Sequence, residues 1–251
     1  MQIDVLTILP DMVDGAMGQG VVGRARDRGV LTIRVRDLRD YTDDRHRTVD
    51  DVPFGGGPGM VMKAEPIGRA IDAIRTEVGA PGAVVLMTPQ GRRFCHAEAE
   101  RLSRLAHLVV IAGRYEGVDE RVAESLVTDE VSIGDYVLSG GELPALVVVD
   151  AVARLQPGVV GHAESVAADS FVRGMLDHPH YTRPAVWRGR AVPDVLVSGH
   201  HGAIDEWRRR ERVRRTWQRR PELLDRAALT DAERRELAAL GAPQGASDEG
   251  D

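Results

Sequence analysis

"VSIGDYVLSGGELPALVVVDAVARL", Val131 to Leu155, holds a strand end, a polar loop with glycines at 134, 140 and 141, and an apolar run containing Pro144. The run from Leu143 to Leu155 reads as a buried helix. Glycine permits positive φ and lets a ligand or another chain segment come close to the backbone. The loop between strand and helix is therefore a place that something approaches.

Working outward, the same strand–loop–helix unit recurs. "IDVLTIL" (Ile3 to Leu9) reads as a buried strand and "VLTIRVRDL" (Val30 to Leu38) alternates like a second. Ile67, Ile71 and Ile74 share one face of a helix over Ala64 to Val78. "AVVLMT" (Ala83 to Thr88) is a strand, "PQG" a loop, and His96 to Leu105 a helix. "HLVVIA" (His107 to Ala112) is a strand running into "GRYEGVDER" (Gly113 to Arg121). A short helix and the strand "DEVSIG" lead back to the opening stretch. Near-continuous apolar strands alternating with helices imply an α/β fold on a mainly parallel sheet. Arg39 to Gly59 lacks periodicity and reads as a long loop. Gln156 to Gly174 breaks the pattern, so residues 1–160 form one domain, 161–174 a linker and 175–251 a smaller, mostly helical domain. There, Ile204 to Gln218 is helical, as is "RRPELLDRAALTDAERRELAAL", with Thr230 capping and Glu233 three residues on. The tail from Gly241 reads as disordered.

The 251 residues are 43% hydrophobic and carry net charge −6, so an anionic partner has to be met by a local patch. The single cysteine, Cys95, excludes a disulfide framework and suits a reducing cytosol. Without a span-length apolar stretch or a basic leader, the expectation is a cytoplasmic protein with no membrane partner. Of 33 basic residues only Lys63 is lysine. Codon bias accounts for part of this, and arginine also suits bidentate phosphate contacts. Trp207 to Pro221 carries eight arginines against Glu211, a segment able to track a phosphate backbone or to serve as a solvated face.

Other motifs point less far. "GQGVVG" (Gly18 to Gly23) has dinucleotide spacing but does not follow its strand directly, and a turn is the plainer reading. "PFGGGPGMVMK" (Pro53 to Lys63) lacks the order of a P-loop; it is either an anion- or base-approaching segment or a lid. Cys95 beside His96 is structural, because adjacent side chains diverge. His178, His180, His200 and His201 lack ligand spacing with carboxylates, so no metal site is expected. Three glycine-bearing loops follow strands, at Thr88–Gly91, Gly113–Arg121 and Ser132–Pro144. Ligands of open α/β sheets bind outside such strand ends, and packing alone would not need those glycines.

"DDVPFGGGPGMVM", "GRYEGVDER", "SIGDYVLSGGELPALVVVDAVARL", "HAESVAADSF" and "LDHPHYTRP…VPDVLVSGHH…WRR…RRPELL" resemble the bacterial tRNA (guanine-N1)-methyltransferases of the SPOUT superfamily, in the family's order from Gln2 to Leu224. The resemblance implies a deep C-terminal trefoil knot in the sheet, S-adenosylmethionine bound in it, and a homodimer whose active sites are shared between subunits. It implies methylation of guanosine 37 of tRNA, beside the anticodon, in support of reading-frame maintenance. Cofactor contacts would come from Pro89, Gly113, Ile133, Gly134, Asp135, Tyr136, Val137, Leu138, Gly140 and Gly141. Another SPOUT RNA methyltransferase and a non-catalytic RNA-binding protein are the alternatives.

The chemistry requires two groups. N1 of guanine is protonated at neutral pH, so a general base has to take its proton during attack on the sulfonium methyl. Charge then builds toward O6, where a cation stabilises it. By resemblance Asp169 is the base and Arg154 the cation, with Glu116 accepting from the guanine amino edge; from the residues alone Asp169 reads as a helix N-cap. Arg214 and Arg215 represent the tRNA-binding arginines. The resemblance also implies magnesium dependence, and with no protein cage legible, Mg2+ is expected to act with the RNA.

Overall fold

The computed structural model describes residues 1–161 and 169–241. The chain divides into two compact units, Met1–Ala163 and Glu164–Asp251. That division falls within the stretch expected as a linker, of which residues 162–168 lie outside the described residues, as do 242–251 of the expected tail.

The first unit is built on five parallel strands: β1 (Gln2–Thr7), β2 (Thr32–Asp37), β5 (Ala83–Arg93), β6 (His107–Ala112) and β7 (Asp129–Ser132). Their order is β2-β1-β6-β5-β7, with Val5 beside Val110 and Leu86 beside Ile111. All six residues of β6 are buried, as befits a central strand covered on both faces. The strand period of two sends alternate residues into two cores. Ile3, Val5, Val85 and Val110 pack with α1 (Pro10–Met17), α4 (His96–Ser103) and α6 (Glu142–Ala153). Leu6, Val84, Val109 and Ile111 pack with Ile67, Ile71 and Ile74 of α3 (Ala64–Val78) and with Val122 of α5 (Glu120–Leu126). The fully buried Asp4 is tolerated because His107 Nε2 (2.9 Å), Arg36 Nε (2.6 Å) and Gln2 Nε2 (2.8 Å) surround its carboxylate.

Three local expectations change. "GQGVVG" is more than a turn: after Gly18 it enters helix α2 (Gly20–Asp27). A Cβ at Gly23 would lie 2.2 Å from the Gly18 carbonyl oxygen, so helix packing requires that glycine. The long loop after β2 is partly structured by a 3-10 turn (Leu38–Tyr41) and by β3 (Asp50–Asp51), which pairs antiparallel with β4 (Val61–Met62). Finally, "PQG" does not end its strand. Met87 and Arg92 both pair with Val131, so Thr88–Gly91 bulges out and β5 resumes. Gly91 makes this possible, since a Cβ there would stand 2.3 Å from Val131 N.

The described residues of the second unit form a two-stranded ribbon, β8 (Val186–Trp187) with β9 (Arg190–Ala191), and helices α7 (Asp194–Val197), α8 (His201–Arg219) and α9 (Asp231–Gly241). Helicity between α8 and α9 is limited to a 3-10 turn at Pro221–Leu223. At the start of α9 the Thr230 N–H donates to Glu233 Oε2 (2.7 Å) and the Glu233 N–H donates to Thr230 Oγ1 (3.3 Å). This is the reciprocal cap that the Thr–x–x–Glu spacing predicts.

Candidate active site

A cleft of about 330 Å³ opens at the C-terminal ends of β5, β6 and β7, the edge where α/β sheets bind ligands. The β5 bulge contributes Thr88, Pro89 and Gln90, and the segment after β6 contributes Gly113 to Gly117. The loop after β7 contributes Ile133, Gly134, Tyr136, Val137, Leu138, Gly140 and Gly141. This loop holds its own shape. The Gly134 N–H donates to Ser132 Oγ (3.2 Å) and the Tyr136 hydroxyl donates to the Ile133 carbonyl (3.3 Å). Gly134 has φ +150, and a Cβ on it would meet the Tyr136 ring at 2.5 Å. Val137 is left 84% exposed beside the cleft.

The next two glycines have a different cause. The Gly141 N–H donates to the Gly113 carbonyl (2.6 Å), and Arg114 bridges to Gly140. A Cβ on Gly141 would lie 2.7 Å from Gly113 N, and one on Gly140 would lie 2.7 Å from Arg114 Nε. Chain packing by itself demands Gly141, against the expectation that it would not, whereas a Cβ on Gly140 would meet side-chain atoms alone.

Directly after them comes Glu142, fully buried in the first turn of α6. Its carboxylate accepts from Thr7 Oγ1 (2.8 Å) and from Arg114 Nε (3.0 Å). The guanidinium of Arg114 is thereby fixed against the cleft wall. Sequence reasoning passed over this triad. Its signal was an acid opening an otherwise apolar helix, a group that cannot be buried without a partner.

Glu116 is exposed on the cleft rim. Its N–H donates to the Met60 carbonyl (2.9 Å), and the Met62 N–H donates to the Gly117 carbonyl (2.9 Å). The end of the glycine-rich segment is thus tied to the loop after β6. Gly59, at φ +83, lies against the Glu116 side chain, where a Cβ would fall 2.2 Å from Oε1.

Two expected site residues of this unit stand apart from the cleft. Asp135 does not line it; its side chain is 91% exposed and 3.8 Å from Arg93. Arg154 closes α6 at its C-terminus, so at 1.5 Å rise per residue it sits roughly 20 Å along the helix axis from Gly141. Nearby, Gln156 Nε2 donates to the Ser103 carbonyl (2.6 Å) at the end of α4, which marks this as the opposite edge of the sheet. The outward face of α6 carries exposed Leu143, Val147 and Asp150. Together with Arg154 they follow the spacing of one helical stripe.

In the second unit Asp169 is half-buried, and a turn rather than a helix follows directly after it, so the N-cap alternative is not realised. Residues 170–177 close on themselves through Phe171 N–H to the Met175 carbonyl (2.7 Å) and Asp177 N–H to Ser170 Oγ (2.9 Å). The arginines of α8 are largely paired within the unit. Arg208 meets Asp205 (3.4 Å), Arg209 and Arg210 share Glu206 (2.7 and 2.9 Å), Arg212 meets Asp177 (3.2 Å) and Arg214 meets Glu211 (2.7 Å). The Arg209 and Arg210 guanidiniums pull the Glu206 carboxyl down to about 2. Among the described residues, Arg215 and Arg219 have no acidic partner. Trp207 anchors the helix, with its ring 6.2 Å from those of His178 and Tyr181, while Trp217 is partly exposed. The four histidines separate. His200 caps α8 by accepting from the Ala203 N–H (3.0 Å), whereas His178 and His180 converge with Asp177.

The model of the family described as tRNA (Guanine-1)-methyltransferase TrmD matches residues 1–226. A tRNA (guanine-N(1)-)-methyltransferase of Chloroflexus aggregans is 54% identical over 245 residues, covering 96% of each chain. The protein of that name from Bacillus licheniformis is 50% identical over 235 residues, covering 94% of this chain and 97% of its own. One from Halorhodospira halophila is 52% identical, covering 94% and 89%.

Proposed function

The chain belongs to the tRNA (guanine-N1)-methyltransferase family and is an S-adenosylmethionine-dependent tRNA methyltransferase; from this premise we propose that it methylates N1 of guanosine 37, with the cleft of the first unit holding the cofactor. S-Adenosylmethionine supplies the electrophilic methyl. The residues present fit it. A cleft of about 330 Å³ is of ligand-pocket size, its wall includes Gly113, Ile133 and Gly134, and Val137 and Leu138 offer apolar cover. The single observation that carries the reading is this glycine-walled cleft at the ends of three adjacent strands. A trefoil knot in this region is part of the proposal, supported by the backbone of Gly141 lying against that of Gly113.

Asp169 takes the N1 proton, Arg154 stabilises charge on O6, and Glu116 on the cleft rim accepts from the amino edge. Asp135 is retained as a cofactor contact through its backbone. Within one chain α6 holds Arg154 at the edge opposite the cleft. The exposed stripe of Leu143, Val147, Asp150 and Arg154 supports a homodimer in which a second copy brings its Arg154 to the site. Arg214 and Arg215 meet the tRNA backbone. Mg2+ acts with the RNA, since among the described residues no all-oxygen cluster of acids suited to it converges. No described helix is long and apolar enough to cross a membrane, and the proposed location is the cytoplasm.

The test is methyl transfer from labelled S-adenosylmethionine to two tRNA transcripts, one with guanosines at 36 and 37 and one with adenosine at 37. Label in the first alone, mapped to N1, is expected. Label in both, or at another position, would overturn the assignment.

A further inference from the structure

We propose that Asp177, His178 and His180 form a binding site for a divalent cation of the zinc type. The inference is independent of the function proposed above. The three residues offer one carboxylate oxygen and two imidazole nitrogens whose ligand atoms lie within 4.8 Å of one another. His180 Nε2 is 2.9 Å from Asp177 Oδ2, and His178 Nε2 is 3.8 Å from Asp177 Oδ1. Bond lengths of about 2.1 Å in a tetrahedral site place neighbouring ligand atoms roughly 3.4 Å apart. The 3.8 Å separation lies a little above that value; the 2.9 Å contact is a hydrogen bond from His180 Nε2–H to the other carboxylate oxygen, which an ion would replace once that ring takes its other tautomer. The donor set separates Zn2+ and Co2+ from Mg2+, which takes oxygen ligands and keeps its waters.

The tautomer of His178 is the second observation. Its Nδ1 lies 3.1 Å from the Pro179 carbonyl oxygen, which can only accept. Nδ1 therefore carries the proton, and the lone pair is on Nε2, the atom turned toward Asp177. A backbone carbonyl holding one ring N–H is how ligating histidines are commonly fixed. The carboxylate is oriented as well: the Asp177 Oδ1 atom accepts from Arg212 Nε (3.2 Å), leaving Oδ2 toward His180. His180 is 71% exposed, so its ring can close on an ion without disturbing a core, and the fourth position opens to water. The Arg212 charge opposes a cation, which sets the expected affinity in the micromolar rather than the nanomolar range. Occupancy would clamp residues 177–180 beside α8, where Trp207 packs on His178.

From the sequence these histidines lack a recognised ligand spacing with carboxylates. The third ligand proposed is the acid at 177, adjacent to one histidine and three residues from the other. The experiment uses the full-length chain stripped with chelator and titrated with Co2+, followed by visible absorption and tryptophan fluorescence. Saturable one-to-one binding is expected, with d–d bands, quenching of Trp207, displacement by Zn2+ and no response to millimolar Mg2+. His180→Ala, an exposed position with little bearing on folding, is expected to weaken Co2+ binding at least about tenfold while circular dichroism stays unchanged. The double variant His200→Ala, His201→Ala is expected to bind as the parent does. Absence of saturable binding at millimolar Co2+, or binding that survives His180→Ala, overturns the proposal.

Discussion

The cleft of the first unit and the arginine helix of the second deal with polar groups in opposite ways. The cleft wall is interrupted by glycines at 113, 117, 134, 140 and 141, and its ion pair, Arg114 with Glu142, lies partly beneath the surface. Helix α8 displays its charges, yet acids one turn away engage most of them. A count of arginines therefore overstates what α8 offers to a phosphate backbone. A count of charged residues understates what the cleft can recognise, because backbone amides and carbonyls do not enter it. Composition is a poor guide to both regions, and for opposite reasons.

That contrast can be broken most severely at the proposed base. Asp169→Ala is expected to lower single-turnover methylation by about 10²–10⁴-fold, with S-adenosylmethionine affinity unchanged by equilibrium titration. Retained turnover would remove Asp169 from the mechanism. Next comes the helix stripe. Val147→Arg places a charge on the exposed face of α6 and is expected to yield monomers by light scattering. Methylation should then fall about 10²-fold or more, as for loss of one stabilising group. An active monomer would sink the shared site.

Glu142→Ala leaves Arg114 without its buried partner and is expected to cost about 3–5 kcal/mol in chemical denaturation. The arginine helix should respond more weakly and unevenly. Arg215→Glu, lacking an internal partner, is expected to reduce tRNA affinity at low salt by about tenfold and to lower the salt slope by more than Arg214→Glu does. Equal effects would mean that the Arg214–Glu211 pair opens on binding. The smallest effect concerns Glu233. Burial opposes its ionisation, but the Thr230 N–H and hydroxyl and the Arg173 guanidinium hold its carboxyl below the usual 4.5. Its contribution is thus complete above the ordinary carboxylate value and lost as pH falls through the lowered one. The difference in melting temperature between the parent and Glu233→Gln should shrink as pH drops below 4.5.

These regions also differ in how much could be read beforehand. The central strand was plain in "HLVVIA" because burial on both faces leaves a continuous apolar run. The cleft loops were plain too, since glycines cluster where strands end. What failed was anything set by register or distance. The resumption of β5 after its bulge depends on Arg92 finding Val131, a pairing of separate strands that no local pattern announces. The remoteness of Arg154 from the cleft follows from the direction of α6. The Thr7–Glu142–Arg114 triad joins residues 135 and 28 positions apart. The convergence of Asp177 with His178 and His180 was not legible either, because proline-bounded chain has no fixed period from which to project side chains onto one another.

The contact of Gly141 with Gly113 has a genetic consequence. Every single-base change out of a glycine codon that alters the amino acid and does not end translation introduces a Cβ. At position 141 that atom would arrive 2.7 Å from one backbone nitrogen and 2.8 Å from the Cα of Ala112. Neither obstacle is a side chain that could swing aside. This codon therefore has silent neighbours and damaging ones with nothing between, and drift can cross it only if the opposing segment changes course at the same time.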